Sequence, residues 1–276
     1  MELTVFQVDA FTDRVFAGNP AAVIPLTSWL PDAQLQAIAL ENNLSETAFF
    51  IPLPDDPDHD FHLRWFTPAV EVDLCGHATL ATAAVLFREL GWDRDEIRFK
   101  AMAGDLLVRR KGDLFELDFP ARVPVMSEPP EGFVEALGAT PVGFYKAKKN
   151  MAVLETEAAV KSVQPDMDFI AHMAGDGLIV TAQGNAEGAE SADCVSRYFA
   201  PHAGIPEDPV TGSAHCTIVP YWAEKLGKQD LHARQISARG GDLYCTLDGD
   251  RVLIAGQAVL YMRGKVHIGD GWSGTY

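Results

Sequence analysis

Basic residues are scarce in this chain. Lysine and arginine number 22 against 39 aspartates and glutamates, a formal net charge of −17 over 276 residues. A chain so short of cations can hardly assemble the basic patch that nucleic-acid phosphates require, or the one that draws a protein to anionic lipid. No apolar run approaches the roughly 20 residues needed to span a bilayer. Met1-Glu2-Leu3-Thr4 has neither the basic nor the apolar region of a secretory leader. A cytoplasmic protein without nucleic-acid or membrane partners is expected. Cysteines are few and scattered: Cys75, Cys194, Cys216 and Cys245 form no CxxC pair, which argues against a zinc knuckle or a disulfide framework. The eight histidines show no HExxH spacing, so no metal is expected, and nothing calls for a cofactor. No GxGxxG follows a strand, which removes support from a dinucleotide-binding fold.

What is present is ordinary globular composition, 47% hydrophobic and 22% charged, in a length that suits one large or two modest domains. Short alternating segments predict strands at Leu3 to Asp9, Phe61 to Phe66, Leu114 to Phe119, Asp193 to Phe199 and Val252 to Gln257. Helical character is clearest at Pro31 to Leu40, Gly76 to Leu90, Pro165 to Met173 and Gly212 to Leu226. Two of these helices are related. Gly76 to Gly91 and Gly212 to Gly227 align without a gap, with Gly76/Gly212, Ala78/Ala214, Leu90/Leu226 and Gly91/Gly227 identical. Each is preceded by a matching strand end, Arg64-Trp65-Phe66-Thr67-Pro68 against Arg197-Tyr198-Phe199-Ala200-Pro201, and followed by matching glycines, Gly104-Asp105-Leu106 against Gly241-Asp242-Leu243. A period near half the chain is far longer than that of a solenoid. It predicts an α+β protein of two pseudo-symmetric lobes, an N-terminal lobe over residues 1–120 and a C-terminal lobe over 121–264, with 265–276 returning to the first. A surface loop is expected between Gln183 and Ala192.

Residues 78 to 87 are apolar nearly all round, and a helix without a polar face must be buried on nearly every side. Strands should therefore wrap around it. Both central helices begin at a glycine, Gly76 and Gly212. Helix N-termini carry unpaired N–H groups and partial positive charge, a seat for a carboxylate; the same glycines would also serve simply to turn the chain into the core. Arg64 and Arg197, one per lobe, are expected to tie strands together.

Phe16-Ala17-Gly18-Asn19-Pro20, Leu44-Ser45-Glu46-Thr47-Ala48-Phe49-Phe50, Leu74-Cys75-Gly76-His77-Ala78-Thr79 and Glu207-Asp208-Pro209-Val210-Thr211-Gly212-Ser213-Ala214-His215, in this order and at these separations, resemble the PhzF family of phenazine-biosynthesis-like isomerases within the diaminopimelate epimerase fold superfamily. The resemblance runs from Val5 to about Gly264. It implies two lobes, each a β-barrel around a central helix, an active site between them, and a homodimer. The family's namesake reaction isomerises trans-2,3-dihydro-3-hydroxyanthranilate, a carboxylate moving a proton from one ring carbon to another, and Glu46 is the matching residue. By the same carry-over His77 and Asp208 are polar partners of the proton and the substrate amine, Ser213 hydrogen-bonds substrate, and Asn19, Gly76 and Gly212 are substrate contacts.

Plainer readings stand beside these: Glu46 as a turn or strand-end carboxylate in solvent, His77 as space-filler in a first helical turn, Asp208 as the start of an Asp-Pro turn, Thr211 and Ser213 as helix caps. Three functions follow. The first is a cofactor-independent isomerase of a small carboxylate-bearing substrate with Glu46 as acid/base. The second is an amino-acid epimerase or racemase using Cys75, whose place at a helix N-terminus should lower its pKa; the second lobe, however, offers Thr211-Gly212 where a partner thiol would stand. The third is a small-acid-binding protein without turnover.

Overall fold

A computed structural model describes residues 1–185 and 191–269, and the chain divides into two compact units. The first comprises Met1–Leu117 and the returning chain from Gly256; the second is Asp118–Ala255. The expected loop at 183–192 lies partly outside the described residues, as does the end of the expected return at 265–276. Among the described residues no helix is long and apolar enough to cross a membrane.

In the first lobe the strand Glu2–Ala10 pairs antiparallel with Asn19–Pro25, which runs parallel to Glu46–Pro52. That strand pairs antiparallel with Phe61–Phe66, itself parallel to Glu96–Ala101. The meander Glu96–Ala101, Gly104–Lys111 and Leu114–Pro120 follows. The helix Asp32–Asn42 makes the first parallel crossover and the helix Gly76–Arg88 the second, as parallel neighbours require. The Gly76–Arg88 helix is buried from Gly76 through Phe87, and it packs on Glu2–Ala10, Asn19–Pro25, Glu46–Pro52 and Ala258–His267. Its alanines let those strands approach closely, while Leu80, Leu86 and Phe87 each contribute roughly 1.5–3 kcal/mol by burial.

The second lobe repeats this order of pairings. Gly143–Lys146 is antiparallel to Asn150–Val153, which is parallel to Leu178–Gln183. Leu178–Gln183 is antiparallel to Cys194–Phe199, and Cys194–Phe199 is parallel to Asp230–Gln235. The meander Asp230–Gln235, Gly241–Asp248 and Arg251–Gly256 completes the set. The central helix here is Gly212–Leu226, with Pro220 in its interior. A proline has no N–H to offer the carbonyl four residues back; the backbone N–H of Arg122 takes its place, donating to Cys216 O at 2.8 Å. The repeat extends to one ion pair. Arg64 grips Glu71 through two nitrogens at 2.7 Å, and Arg197 grips Glu207 at 2.7 and 3.0 Å while also donating to the carbonyls of Val160, Lys161 and Val163. Arg64 ties its strand to the short strand Glu71–Val72, and Arg197 ties its strand to the Glu207 loop and to the end of helix Glu157–Ser162.

Strand Phe61–Phe66 and helix Gly212–Leu226 coincide with the sequence expectation, and the other predicted elements differ by a few residues at their ends. The stretch from Met126 to Met167, which carries no motif, holds strands Gly143–Lys146 and Asn150–Val153 and helices Phe133–Leu137 and Glu157–Ser162. The return to the first lobe begins at Gly256, ahead of residue 265. The last repeated motif, Gly112-Asp113 against Gly249-Asp250, stops short of Gly256, so nothing in the sequence marks where the second lobe gives way. In the fold, Ala258–His267 pairs along the length of Glu2–Ala10, and the ring of Phe11 lies so close to Gly256 that a Cβ there would stand 2.4 Å from it.

Candidate active site

In the first lobe, three separate stretches converge at the N-terminus of the central helix. Gly18 turns the chain with φ +64°, and a side chain there would put its Cβ 2.2 Å from Ala10 O; only glycine fits. The turn delivers Asn19, fully buried, as first residue of its strand. The parallel pairing of Ala21 with Glu46 sets Glu46 at the head of the neighbouring strand, two residues ahead of the apolar run that starts at Ala48. Cys75 is the extended N-cap of the helix and Gly76 and His77 its first residues. Thr79 Oγ1 donates to Cys75 O at 2.5 Å and fixes the entry.

The side chains meet. His77 Nε2 lies 3.0 Å from Glu46 Oε2, yet neither atom is aligned for a hydrogen bond and both are buried without a partner. Asn19 Nδ2 is 3.2 Å from His77 Nδ1, and Ser45 Oγ donates to Asn19 Oδ1 at 3.3 Å. With the amide oriented this way Asn19 donates to Nδ1, which leaves the imidazole proton on Nε2, beside the carboxylate but not directed at it. Burial opposes a second proton on this ring, while the nearby Glu46 carboxylate favours one. Cys75 Sγ is 3.5 Å from His77 Nδ1.

Cys75 departs from expectation. Burial, reinforced by Glu46, pushes its thiol up to about 11 against the opposing pull of His77 and the Ala78 N–H. The helix N-terminus was expected to lower it, and desolvation overrides the dipole. At neutral pH this is a thiol, not a thiolate.

In the second lobe Asp208, Thr211, Gly212 and Ser213 gather at the start of the other central helix. Thr211 does not cap the helix with its side chain; its Oγ1 donates to Asp208 Oδ2 at 2.5 Å. Gln235, which belongs to no sequence motif and was not anticipated, holds this corner together. Its Oε1 accepts from Thr211 N at 2.8 Å and its Nε2 donates to Asp208 O at 2.6 Å. Asp208 N donates in turn to Tyr198 O at 3.0 Å, and Gly212 is buried while Ser213 is half-buried. Lys149 was not anticipated either. Its buried Nζ donates to Tyr198 Oη at 2.9 Å, and burial, against the attraction of Asp176, brings its pKa down to about 8.

The duplication is chemically asymmetric. Strand registers pair Thr47 with Phe66 and Leu178 with Phe199, so with Phe66 and Phe199 equivalent, Gly177 occupies the place of Glu46. The aligned helices likewise set Thr211 at the place of Cys75 and Ser213 at that of His77. At Gly177 a Cβ would stand 2.6 Å from Phe199 O, so no carboxylate could be built there. Among the described residues, Glu46, Cys75 and His77 form a group able to hold a metal ion, each offering an atom within 4.8 Å of the others.

The family pattern described as "Phenazine biosynthesis-like protein" matches residues 8–264. An uncharacterized isomerase of Pseudomonas aeruginosa is 50% identical over 268 residues, covering 97% of this chain and 100% of the relative. A PhzF-family protein of Enterococcus faecalis of known crystal structure superposes with a TM-score of 0.91 at 42% identity, covering 97% of this chain and 100% of that one. A hydroxyproline epimerase of Agrobacterium vitis shares the fold with a TM-score of 0.60 at 11% identity, covering 99% and 94% of the two chains.

Proposed function

Because the chain belongs to the PhzF family of phenazine-biosynthesis-like proteins, we propose that it is a cofactor-independent isomerase in which Glu46 moves a proton on a small carboxylate-bearing molecule. It is a protein of isomerase and epimerase fold, and the observation that carries the finer reading is the buried contact of 3.0 Å between Glu46 Oε2 and His77 Nε2. The carboxylate takes a proton from one carbon and returns it to another. Between the two steps His77, its ring held by Asn19, which Ser45 holds in turn, turns its Nε2–H onto the carboxyl group and limits its motion. The site's burial keeps water from competing for the proton. The N-terminal N–H groups of the helix at Gly76 suit the substrate carboxylate. Asp208 and Ser213 would contact the substrate's polar groups, with Gln235 as the positioning residue for Asp208.

The protonated thiol of Cys75 and the threonine at its counterpart both weigh against a two-thiol racemase. The net charge of −17 supports a small-molecule enzyme over a nucleic-acid or membrane partner, and a cytoplasmic homodimer is the assembly proposed. The test is solvent-deuterium incorporation into small unsaturated and cyclic acids, beginning with trans-2,3-dihydro-3-hydroxyanthranilate. Glu46→Gln should reduce exchange by about 10²–10⁴-fold while leaving the circular dichroism spectrum intact; a substrate turned over equally by both proteins would overturn the assignment. Binding across the panel with no exchange in the wild type would identify the non-catalytic acid-binding protein instead.

A further inference from the structure

We propose that Glu46, Cys75 and His77 also form a binding site for zinc or a similar soft divalent cation, and that an ion seated there arrests proton transfer. The second half of this inference rests on Glu46 being the proton carrier; the first half does not.

The donor set carries it. One thiol sulfur, one imidazole nitrogen and one carboxylate oxygen are the three ligand types that protein zinc sites draw on, and all three lie within 4.8 Å of one another. Bonds of about 2.0–2.3 Å arranged tetrahedrally put ligand atoms roughly 3.3–3.8 Å apart. His77 Nε2 and Glu46 Oε2, 3.0 Å apart, lie just short of that range, and Cys75 Sγ, which stands 3.5 Å from the other ring nitrogen, Nδ1, reaches an ion on Nε2 by side-chain rotation. Glu46 Oε2 and His77 Nε2 are, in addition, buried atoms with no hydrogen-bond partner on residues at least nine-tenths buried. Each such orphan costs about 1–3 kcal/mol, and a cation between them would satisfy both.

Charge balances as well. A carboxylate and a thiolate cancel a divalent ion and the imidazole stays neutral, so the loaded site has no net charge to bury. On binding, the Cys75 thiol proton leaves to solvent and the imidazole proton shifts from Nε2 to Nδ1. Asn19, 3.2 Å away, accepts it by turning its amide, and so supplies the outer hydrogen bond that orients a metal-bound imidazole. Cys194, Cys216 and Cys245 are buried in the other lobe and take no part. With Oε2 bonded to the ion, the Glu46 carboxylate is tied in place and its charge is drawn to the cation, so it is too weak a base, and too poorly placed, to lift a proton.

The experiment is titration of the reduced, metal-free full chain with cobalt(II), whose thiolate-to-metal charge-transfer band reports a cysteine ligand directly. One equivalent should raise the band in the wild type and zinc should displace it. Cys75→Ala should lose the band, and Glu46→Gln should keep it while binding at least tenfold more weakly. Absence of the band in the wild type, its persistence in Cys75→Ala, or unchanged affinity in Glu46→Gln overturns the site. Deuterium exchange measured with one zinc bound should cease, and exchange that continues overturns the arrest. A wild type with the band and no exchange on any substrate refutes the isomerase reading and the arrest built on it; the metal site is then upheld by the band.

Discussion

His215 sits four residues into the second central helix, wholly buried, with Nδ1 donating to Thr211 O at 2.8 Å and Nε2 without a partner. A proton added at Nε2 would be buried facing no acceptor. Burial accordingly brings the pKa down to about 4 from 6.5, only partly offset by the bond to Thr211. The unfolded chain binds this proton below pH 6.5 and the native one only near pH 4. The stabilising contribution is therefore complete above about 6.5 and drains away as the pH falls towards 4, by about 3 kcal/mol at 1.36 kcal/mol per unit. The variant to compare is His215→Thr, because Thr79, its counterpart in the first lobe, makes the same bond to the carbonyl four residues back. At pH 7.5 the variant should be less stable through loss of packing. Urea midpoints followed down to pH 4 should show the gap between the two proteins shrinking by about 3 kcal/mol. Parallel curves would mean that His215 is not held neutral, and the burial argument would fail.

Gln235→Leu strips acceptor and donor from Thr211 N and Asp208 O together, and should destabilise the protein by about 2–4 kcal/mol in urea unfolding; a loss under 1 kcal/mol would show that the Asp208 corner holds itself. Arg197→Lys gives up the two-pronged grip on Glu207 and the three carbonyls beyond it, at a cost of about 1–3 kcal/mol, again by urea. All four cysteines are buried, and burial, the largest cause in every case, raises the pKa of each thiol. The native protein should thus show almost no reaction with a disulfide reagent within minutes at pH 7.5 and four thiols after denaturation, and rapid native labelling of Cys75 would contradict its buried state.

The architecture was legible where chemistry was repetitive. A helix apolar on every side has to be wrapped, and the paired arginines, paired glycines and paired helices announce two copies of one unit. Asn19, Glu46 and His77 could be named because each sits in a short, distinctive motif. Gln235 could not, since a glutamine ending an alternating strand has no local signature and its partners lie more than twenty residues away. Lys149 was hidden for the same reason. The pKa of Cys75 was read in the wrong direction because a helix start is visible in sequence whereas the depth of burial is not. The Arg122–Cys216 bond that compensates Pro220 joins residues nearly a hundred positions apart, beyond any periodicity.

The pairing of Glu2–Ala10 with Ala258–His267 bears on how the molecule comes into being. Glu2–Ala10 must wait for Ala258–His267, which is made after the whole of residues 118–255, before the edge between them is covered. During synthesis the second unit can be complete while the first still exposes an open edge, the kind of surface on which strands of other nascent chains can dock. Efficient production of this protein is thereby tied to translation reaching the 258–267 strand promptly, and truncations within it should yield aggregates rather than a soluble half-molecule.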